Sequence, residues 1–410
     1  MPSHSVWPLN PHPTTVAAMP GPDPTTRVVF ANQLRGLAAI SVVASHFLGI
    51  FFLYPQGAAA LLQVPPLQGN LHPWLSLALG FLPGFGLGPF GVALFFLISG
   101  FVIPISLERQ GPARFLIARF FRIWPTYAAG LLISVLVLVA LHKILGLEFS
   151  ISPVVVLVNA AIVIRDWLQW PGIDGLVWTL EIETKFYLLM VVLAVLLGRV
   201  TATSLLGVSF IFALANVVCG ALHAQLLAFI PAAYGFCYVL TFNMMIAVYM
   251  LIGTIFYFAH RGRIGPLTAA LSGLALYALV GLSWWTGLVG VDHARANFPS
   301  YGWALGVFGL AYVWRRRFKS SRVLDYFAMI SYSLYVSHAV LGYGLLYIFT
   351  KYSLPGPLAV FVTTVVALCV ATLLHVAIER PTQDLGKAIA RSQGVALLNS
   401  KLASKAIQFG

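Results

Sequence analysis

Long apolar runs recur from one end of the chain to the other, separated by short polar stretches. Each run is roughly 20 residues long, enough for an α-helix to cross a hydrocarbon core of about 30 Å. The pattern predicts an all-α polytopic integral membrane protein with about ten transmembrane helices in one membrane domain. The predicted spans are residues 34–54, 83–107, 121–142, 178–198, 202–222, 237–259, 265–286, 301–314, 325–349 and 356–378.

One further apolar segment, SPVVVLVNAAIVI at 152–164, is shorter than a crossing needs. It is predicted to be re-entrant or interfacial, with an eleventh span as the alternative. Basic residues accumulate in the loops that stay on the cytoplasmic side of a membrane. With the N-terminus inside, the run RRRFKSSR and the other later basic clusters fall in inner loops, and a crossing at 152–164 would move them outside. The charge pattern therefore favours ten spans with both termini cytoplasmic.

Composition agrees, because 60% of residues are hydrophobic and only 9% are charged. A soluble domain carries about a quarter charged residues. The net charge of +13 follows from the topology and from attraction to anionic membrane lipids, so no nucleic-acid partner is predicted. Residues 1–30 are predicted to be a flexible Pro/Thr-rich cytoplasmic tail, residues 31–386 the membrane domain, and residues 387–410 a basic cytoplasmic tail.

The first span contains RGLAAISVVASH, which begins at Arg35 and ends at His46. Ionisable residues at membrane depth are functional candidates. Eleven helical residues separate the two by roughly 20° around the axis and about 16 Å along it, so they share a face. Taken singly, Arg35 is predicted to be either a basic anchor or an anion site. His46 is predicted to be either a neutral, hydrogen-bonded histidine or a general base. As a pair they suit a substrate with an anionic head and a long thin reactive tail, such as a coenzyme A thioester.

A second polar group occurs in LVWTLEIETKFYLL, at the predicted outer end of its span. It comprises Trp178, Glu181, Glu183 and Lys185. Glu183 is expected near the depth of His46, where a carboxylate would hold the imidazole in one tautomer. The alternative for both glutamates is solvation at the interface, with Lys185 in local pairs, and it is favoured for Glu181 over the deeper Glu183.

Two more groups complete the candidate chemistry. Arg119 and Arg122 stand three residues apart at the predicted cytoplasmic face, where they would bind phosphate or lipid headgroups. Ser331, Tyr335 and His338 share one face of a later span, with His338 either supporting catalysis or simply packed and hydrogen-bonded. None of the ten histidines has convincing metal-ligand spacing, so no metal is predicted.

In order, the chain contains NQLRGLAAISVVASH, GVALFFLISGFVI, RFFRIWPTY, WTLEIETKFYLL, ISYSLYVSH and IERP. This series resembles the acyltransferase-3 family of polytopic membrane acyltransferases, over about residues 31–386. The resemblance implies transfer of an acyl group, most often acetyl, onto extracytoplasmic carbohydrates and some other acceptors. It assigns catalysis to Arg35 and His46, handling of the acyl donor to Arg119 and Arg122, and the glutamate of a W-S-L-x-x-E motif to Glu183.

Two departures from the family pattern concern acceptor choice rather than reaction type. Ala93 stands where many members have a polar residue, and the common E-E-Q triplet reads Glu183, Thr184, Lys185. Many relatives also carry an appended esterase-like domain. This chain ends 24 residues after Gly386, so any second envelope enzyme is expected to be a separate partner.

The predicted function is therefore that of a bacterial inner-membrane O-acyltransferase. Its partners would be acetyl-CoA or another acyl-CoA as donor, a hydroxyl of an extracytoplasmic or lipid-linked carbohydrate as acceptor, and membrane lipids. Trp178, Ser331, Tyr335 and His338 would contact substrate or support the site. Direct transfer and an acyl-enzyme both remain open. The alternatives are a transporter or flippase of a lipid-linked sugar, an acyltransferase for a secondary metabolite such as a macrolide, and a non-catalytic assembly subunit.

Overall fold

The computed structural model describes residues 28–68, 84–288, 296–392, 394–395 and 408–409. Residues 1–27 of the predicted N-terminal tail at 1–30 lie outside the described residues. Most of the predicted C-terminal tail at 387–410 lies outside them as well. The described chain forms 13 helices, which confirms the all-α class. They are α1 (Val29–Leu53), α2 (Pro55–Leu62), α3 (Leu87–Gln110), α4 (Pro112–Leu145), α5 (Pro153–Ala160), α6 (Val177–Leu197), α7 (Ala202–Ala221), α8 (His223–Phe229), α9 (Pro231–His260), α10 (Pro266–Thr286), α11 (Phe298–Val313), α12 (Arg322–Lys351) and α13 (Gly356–Ala390).

Each predicted span coincides with one of these helices. Among the described residues, eight helices are long and apolar enough to cross a bilayer: α1, α3, α4, α7, α9, α10, α12 and α13. The other two predicted spans differ for separate reasons: α6 carries Glu181, Glu183 and Lys185, and α11 has only 16 residues. Their crossing, and with it the count of ten, stays a prediction.

The centre of the bundle is formed by α1 packed between α3 and α12, with α9 behind α3. Glycines allow α1 and α12 to approach closely. A Cβ atom added at Gly36 would lie 2.3 Å from the carbonyl oxygen of Leu324, and one added at Gly342 would lie 2.0 Å from the ring of Phe47. Small residues permit such contacts between membrane helices. These two contacts fix the position of α1 relative to α12, and with it which polar residues of the two helices face each other.

Helix α4 is longer than the predicted span at 121–142. It begins at Pro112 and runs for 34 residues, or about 51 Å. Arg119 and Arg122 consequently lie two to three turns inside the helix. Their position at the cytoplasmic face stays a prediction.

The segment predicted at 152–164 forms α5, which has eight residues and a length of about 12 Å, too short to span a membrane. The indole Nε1 of Trp124 donates a hydrogen bond to the carbonyl of Ala160 at 3.0 Å. Trp124 lies 21 residues before the end of α4 at Leu145, or about 32 Å. The chain after α4 therefore runs back alongside it, as the re-entrant alternative predicts.

An irregular connection, residues 161–176, then leads to α6. Non-helical backbone at membrane depth is tolerated where protein buries it or where it lines a cavity. Asn159 holds the connection to α5, because its side chain donates to the carbonyl of Pro171 and accepts from the N–H of Ile173. Asp174 begins α6 by accepting from the N–H groups of Leu176 and Val177 at 2.9 and 3.0 Å.

Three local features complete the fold. A π-helical turn, Ser45–Ile50, interrupts α1, and a second, His375–Glu379, interrupts α13. Such turns are frequent at functional sites. A two-residue strand, Arg199–Val200, pairs in parallel with Gln408–Phe409. This pairing puts the end of the chain beside the α6–α7 loop, as expected if an even number of crossings separates them.

Candidate active site

A cavity lies between α1, α3, α4, α6 and α12 and is partly open to its surroundings. The empty space within it and at its mouth amounts to roughly 620 Å³. Its lining is mainly apolar and aromatic, with a few polar groups, the composition typical of ligand sites. The polar groups that matter below are Arg35, Ser99, Arg122, Thr179, Glu183 and Tyr335. Five helices thus bring together residues from five of the six motifs quoted above.

Two guanidinium groups line this cavity, those of Arg35 and Arg122. Within the part of the chain that the structure describes, neither makes a hydrogen bond or an ion pair. Arg119 lies close by but is held differently: it donates to Ser106 at 2.8 Å and lies over the ring of Tyr187 at 5.3 Å. The structure therefore places Arg35, rather than Arg119, with Arg122 on the cavity wall.

Glu183 also lines the cavity, but its hydrogen bonds go elsewhere than predicted. It accepts from Ser99 at 2.8 Å and from the hydroxyl of Tyr187 at 2.6 Å. Its charge acts on Arg35 and on Arg119. The expectation that Glu183 holds the imidazole of His46 is wrong for this structure. The carboxylate belongs instead to the arginine cluster, where it offsets part of the positive charge.

His46 lies in the π-helical turn of α1 and is half-buried. Its Nδ1 is 2.8 Å from the hydroxyl of Tyr343, and the two rings stack with centroids 5.5 Å apart. The ring of His338 meets it edge-on at 4.8 Å. If Nδ1 donates its proton to the phenol oxygen, the other ring nitrogen is the basic one. A tyrosine therefore occupies the orienting position that is predicted for a carboxylate.

His338 is fully buried on α12. Its Nδ1 lies 3.0 and 2.9 Å from the carbonyls of Leu334 and Tyr335, so Nδ1 carries a proton and donates it to them. Among the described atoms, Nε2 of His338 has no hydrogen-bond partner. A second proton on Nε2 would leave a buried charge without an acceptor, which favours the neutral imidazole with its proton on Nδ1.

The cavity and His46 are connected through α12. Tyr335 lines the cavity, its ring lies 6.0 Å from that of His338, and its hydroxyl is 2.7 Å from Thr179. Ser331, one turn earlier, lines the cavity as well and donates to the carbonyl of Ala328. The predicted shared face of Ser331, Tyr335 and His338 therefore joins the arginine-lined cavity to the histidine pair.

Two ion pairs lie on the opposite side of α6. Glu181 is 1% exposed and is bound by Arg165 through two hydrogen bonds of 2.8 and 2.6 Å. Lys185 pairs with Asp166, not with a glutamate of its own helix. The expectation of a solvated Glu181 at the interface is wrong, because the 161–176 connection folds over the start of α6 and brings a cation to it.

The residue that sequence reasoning missed is Tyr343. It stands between Gly342 and Gly344, and the first of these glycines is where α12 touches Phe47, the neighbour of His46. A tyrosine flanked by glycines in a membrane helix is the available signal, since small residues mark a helix contact. From the sequence alone, that signal does not indicate that the hydroxyl of Tyr343 contacts His46.

The fold and the site define a polytopic membrane protein with a cationic cavity inside the helix bundle and a histidine pair beside it. The family model described as "Acyltransferase domain" matches residues 28–376, nearly the whole chain. The chain belongs to the acyltransferase-3 family and is a membrane acyltransferase. No curated protein and no solved structure gives a significant match to it.

Proposed function

We propose that the protein transfers an acyl group, with acetyl as the first candidate, from cytoplasmic acyl-CoA to a hydroxyl of an extracytoplasmic or lipid-linked carbohydrate. The termini would lie in the cytoplasm of a bacterial cell and the protein in its inner membrane. The basic inner loops and the pairing of the chain end with the α6–α7 loop support this orientation.

One observation carries the proposal: two guanidinium groups line a cavity without a protein partner among the described residues. A charged donor removed from bulk water without an acceptor is costly. Glu183, the carboxylate on the cavity wall, is already bonded to Ser99 and Tyr187. The lining of Arg35, Arg122 and Glu183 keeps a net positive charge, which favours an anionic ligand. Guanidinium groups bind phosphate oxygens in pairs, and the phosphates of coenzyme A fit that requirement.

The histidine pair supplies the second requirement of acyl transfer, a proton acceptor. His46 would take the proton of the acceptor hydroxyl as its oxygen forms a bond to the thioester carbonyl carbon, and the carbon–sulfur bond then breaks. Tyr343 orients the imidazole through Nδ1. The proton held by His46 returns to the departing thiolate, so the residue is regenerated. Proximity of donor and acceptor provides the rest of the rate enhancement.

The test uses membranes that contain the full-length protein, radiolabelled acetyl-CoA and the envelope glycans of the producing cell. His46→Ala should abolish label transfer, while the amount of inserted protein stays the same. Mass spectrometry of the glycans with and without the gene would identify the acyl group and the acceptor together. Full activity of His46→Ala would refute the role of this residue, and unchanged glycans would refute the carbohydrate acceptor.

A further inference from the structure

A second depression lies on the other side of α6, with roughly 730 Å³ of empty space. The 161–176 connection, the first turns of α6 and the outer part of α9 surround it. Its principal lining residues are Arg165, Asp166, Gln169, Trp170, Trp178 and Asn243. We refer to this depression as the aromatic groove. It opens where Gln169 and Tyr238 are exposed, Tyr238 by 41%.

Helix α6 separates the aromatic groove from the arginine-lined cavity. Trp178 and Ile182 face the groove, whereas Thr179 and Glu183 face the cavity. At 100° per residue, neighbouring positions of one helix point to different sides, so a single helix supplies both walls. The ring of Trp178 packs against Phe96, which lines the cavity, with centroids 6.4 Å apart. The two sites are therefore adjacent, since a side chain that lines one contacts a side chain that lines the other.

The charges in the groove cancel. Arg165 is paired with Glu181, and Asp166 is paired with Lys185 and also accepts from Asn243. Two cations and two carboxylates leave no net charge, in contrast to the cavity. The groove therefore offers little electrostatic attraction to an anionic ligand such as a phosphate, or to a cation. The paired charges hold the groove wall in place and favour a neutral, polar occupant.

Several hydrogen-bonding groups in the groove have no partner among the described residues. They are the side-chain amide of Gln169 and the indole N–H groups of Trp170 and Trp178. Indole N–H groups at half-buried positions normally find an acceptor. Flat aromatic faces combined with free planar donors and acceptors match a sugar ring, which has an apolar C–H face and a rim of hydroxyl groups.

The backbone at Gln169 supports a functional arrangement. Its φ angle is 55°, in the left-handed region that non-glycine residues seldom adopt. Such conformations persist where the surroundings impose them, and they cluster at ligand sites. The Gln169 side chain lies over Gly235 of α9, where an added Cβ would be 2.0 Å from its Nε2. The absence of a side chain at Gly235 leaves the amide room at the mouth of the groove.

We infer that the aromatic groove binds a saccharide unit of the acceptor, with its ring against Trp170 and Trp178 and its hydroxyls bonded to Gln169. This inference rests on the proposed function for the identity of the acceptor. The groove is a binding subsite and not the reacting centre, because the described contacts of His46 include none of its lining residues. The acceptor would reach the cavity side past Trp178. The exposed side chain of Phe236, which packs against Trp167 of the connection, suits an acceptor whose lipid carrier stays in the bilayer.

The test is saturation-transfer NMR on the purified full-length protein, with maltose, lactose and diacetylchitobiose as free saccharide probes. Undecaprenyl-pyrophosphoryl-glucose is the lipid-linked probe, and undecaprenyl phosphate is the lipid control. The wild type should saturate the ring C–H protons of at least one saccharide probe. Its Kd should rise about tenfold in Trp170→Ala, equivalent to about 1.4 kcal/mol, and severalfold in Gln169→Ala and Gly235→Ala. Trp314→Ala, which removes an indole 53% exposed elsewhere on the chain, should leave the Kd unchanged.

The inference is overturned if no saccharide probe binds, or if binding is the same in Trp170→Ala and Gln169→Ala as in the wild type. It is also overturned if undecaprenyl phosphate alone reproduces the whole effect, since the groove would then hold lipid. Tighter binding of the lipid-linked probe than of free saccharides would identify a lipid-linked acceptor, and equal binding a free glycan, with either result supporting a sugar site.

Failure of the inference can be distinguished from failure of the proposed function. If acyl transfer is lost in His46→Ala but unaffected in Trp170→Ala, the proposed acyltransferase function stands and the saccharide site in the groove is refuted. If the groove binds saccharides but the protein transfers no acyl group, the saccharide site stands and the proposed function is refuted.

Discussion

The hydroxyl of Tyr343 provides a sensitive test of how His46 is oriented. Tyr343→Phe deletes one oxygen atom and keeps the ring, which stacks on His46 and also packs against Phe51. The only described hydrogen bond of this hydroxyl is the one to His46, at 2.8 Å. The substitution therefore changes the orientation and tautomer of one imidazole with little effect on packing.

The magnitude follows from the type of bond. A hydrogen bond between neutral groups is worth about 1 kcal/mol net, and about 1.4 kcal/mol corresponds to a tenfold change in rate. We expect kcat to fall about fivefold in Tyr343→Phe. Removal of a general base costs roughly 10²- to 10⁴-fold, so the loss in His46→Ala should be much larger. The KM for acyl-CoA should not change, because Tyr343 does not line the cavity.

The assay measures the initial rate of label transfer from acetyl-CoA in membranes, normalised to the amount of inserted protein. Tyr347→Phe is the matched control, since it removes a hydroxyl one turn further along α12 that bonds to the carbonyl of Pro65. Its rate should equal that of the wild type. An unchanged kcat in Tyr343→Phe would refute the orienting role. A loss as large as that of His46→Ala would show that the phenol itself takes part in proton transfer.

Two further outcomes are expected from the ion sites. Substituting Arg35 and Arg122 together by Gln should raise the KM for acyl-CoA at least tenfold, because hydrogen bonds to charged groups are worth about 1.5–3 kcal/mol each, and an unchanged KM would exclude them from the donor site. Glu181→Gln should leave Arg165, whose side chain is only 11% exposed, without a counter-charge, destabilise the protein by about 3–5 kcal/mol and lower its Tm, as followed by thermal unfolding in detergent. Replacing both by apolar residues, Arg165→Met with Glu181→Leu, should recover most of that loss, and a double variant no more stable than Glu181→Gln would contradict the argument.

Much of this site could be predicted from the sequence because helical periodicity reports which residues share a face. Ser331, Tyr335 and His338 lie together as predicted, and Arg35 and His46 both reach the region of α12. Periodicity says nothing about the partner across a helix contact. Glu183 is hydrogen-bonded to Ser99, which is 84 positions away in the sequence, and His46 to Tyr343, which is 297 positions away.

The Arg165–Glu181 pair shows the same limit within a short stretch. The two residues are 16 positions apart, but the sequence between them is irregular and its path cannot be computed from a period. From the sequence, a carboxylate near the start of an apolar helix is therefore predicted to be solvated. The fold buries it because the connection closes over α6 and supplies the cation.

Hydropathy and charge are local properties of the chain, so they are enough to predict the membrane environment, the helices and the functional candidates. They do not predict that Arg35 joins Arg122 in the cavity, that the hydroxyl of Tyr343 rather than Glu183 contacts His46, or that α6 has an aromatic groove behind it. Those features depend on the rotation and vertical offset between helices, which are set by close contacts such as those at Gly36 and Gly342. These contacts depend on two surfaces at once, and a single stretch of sequence describes only one of them.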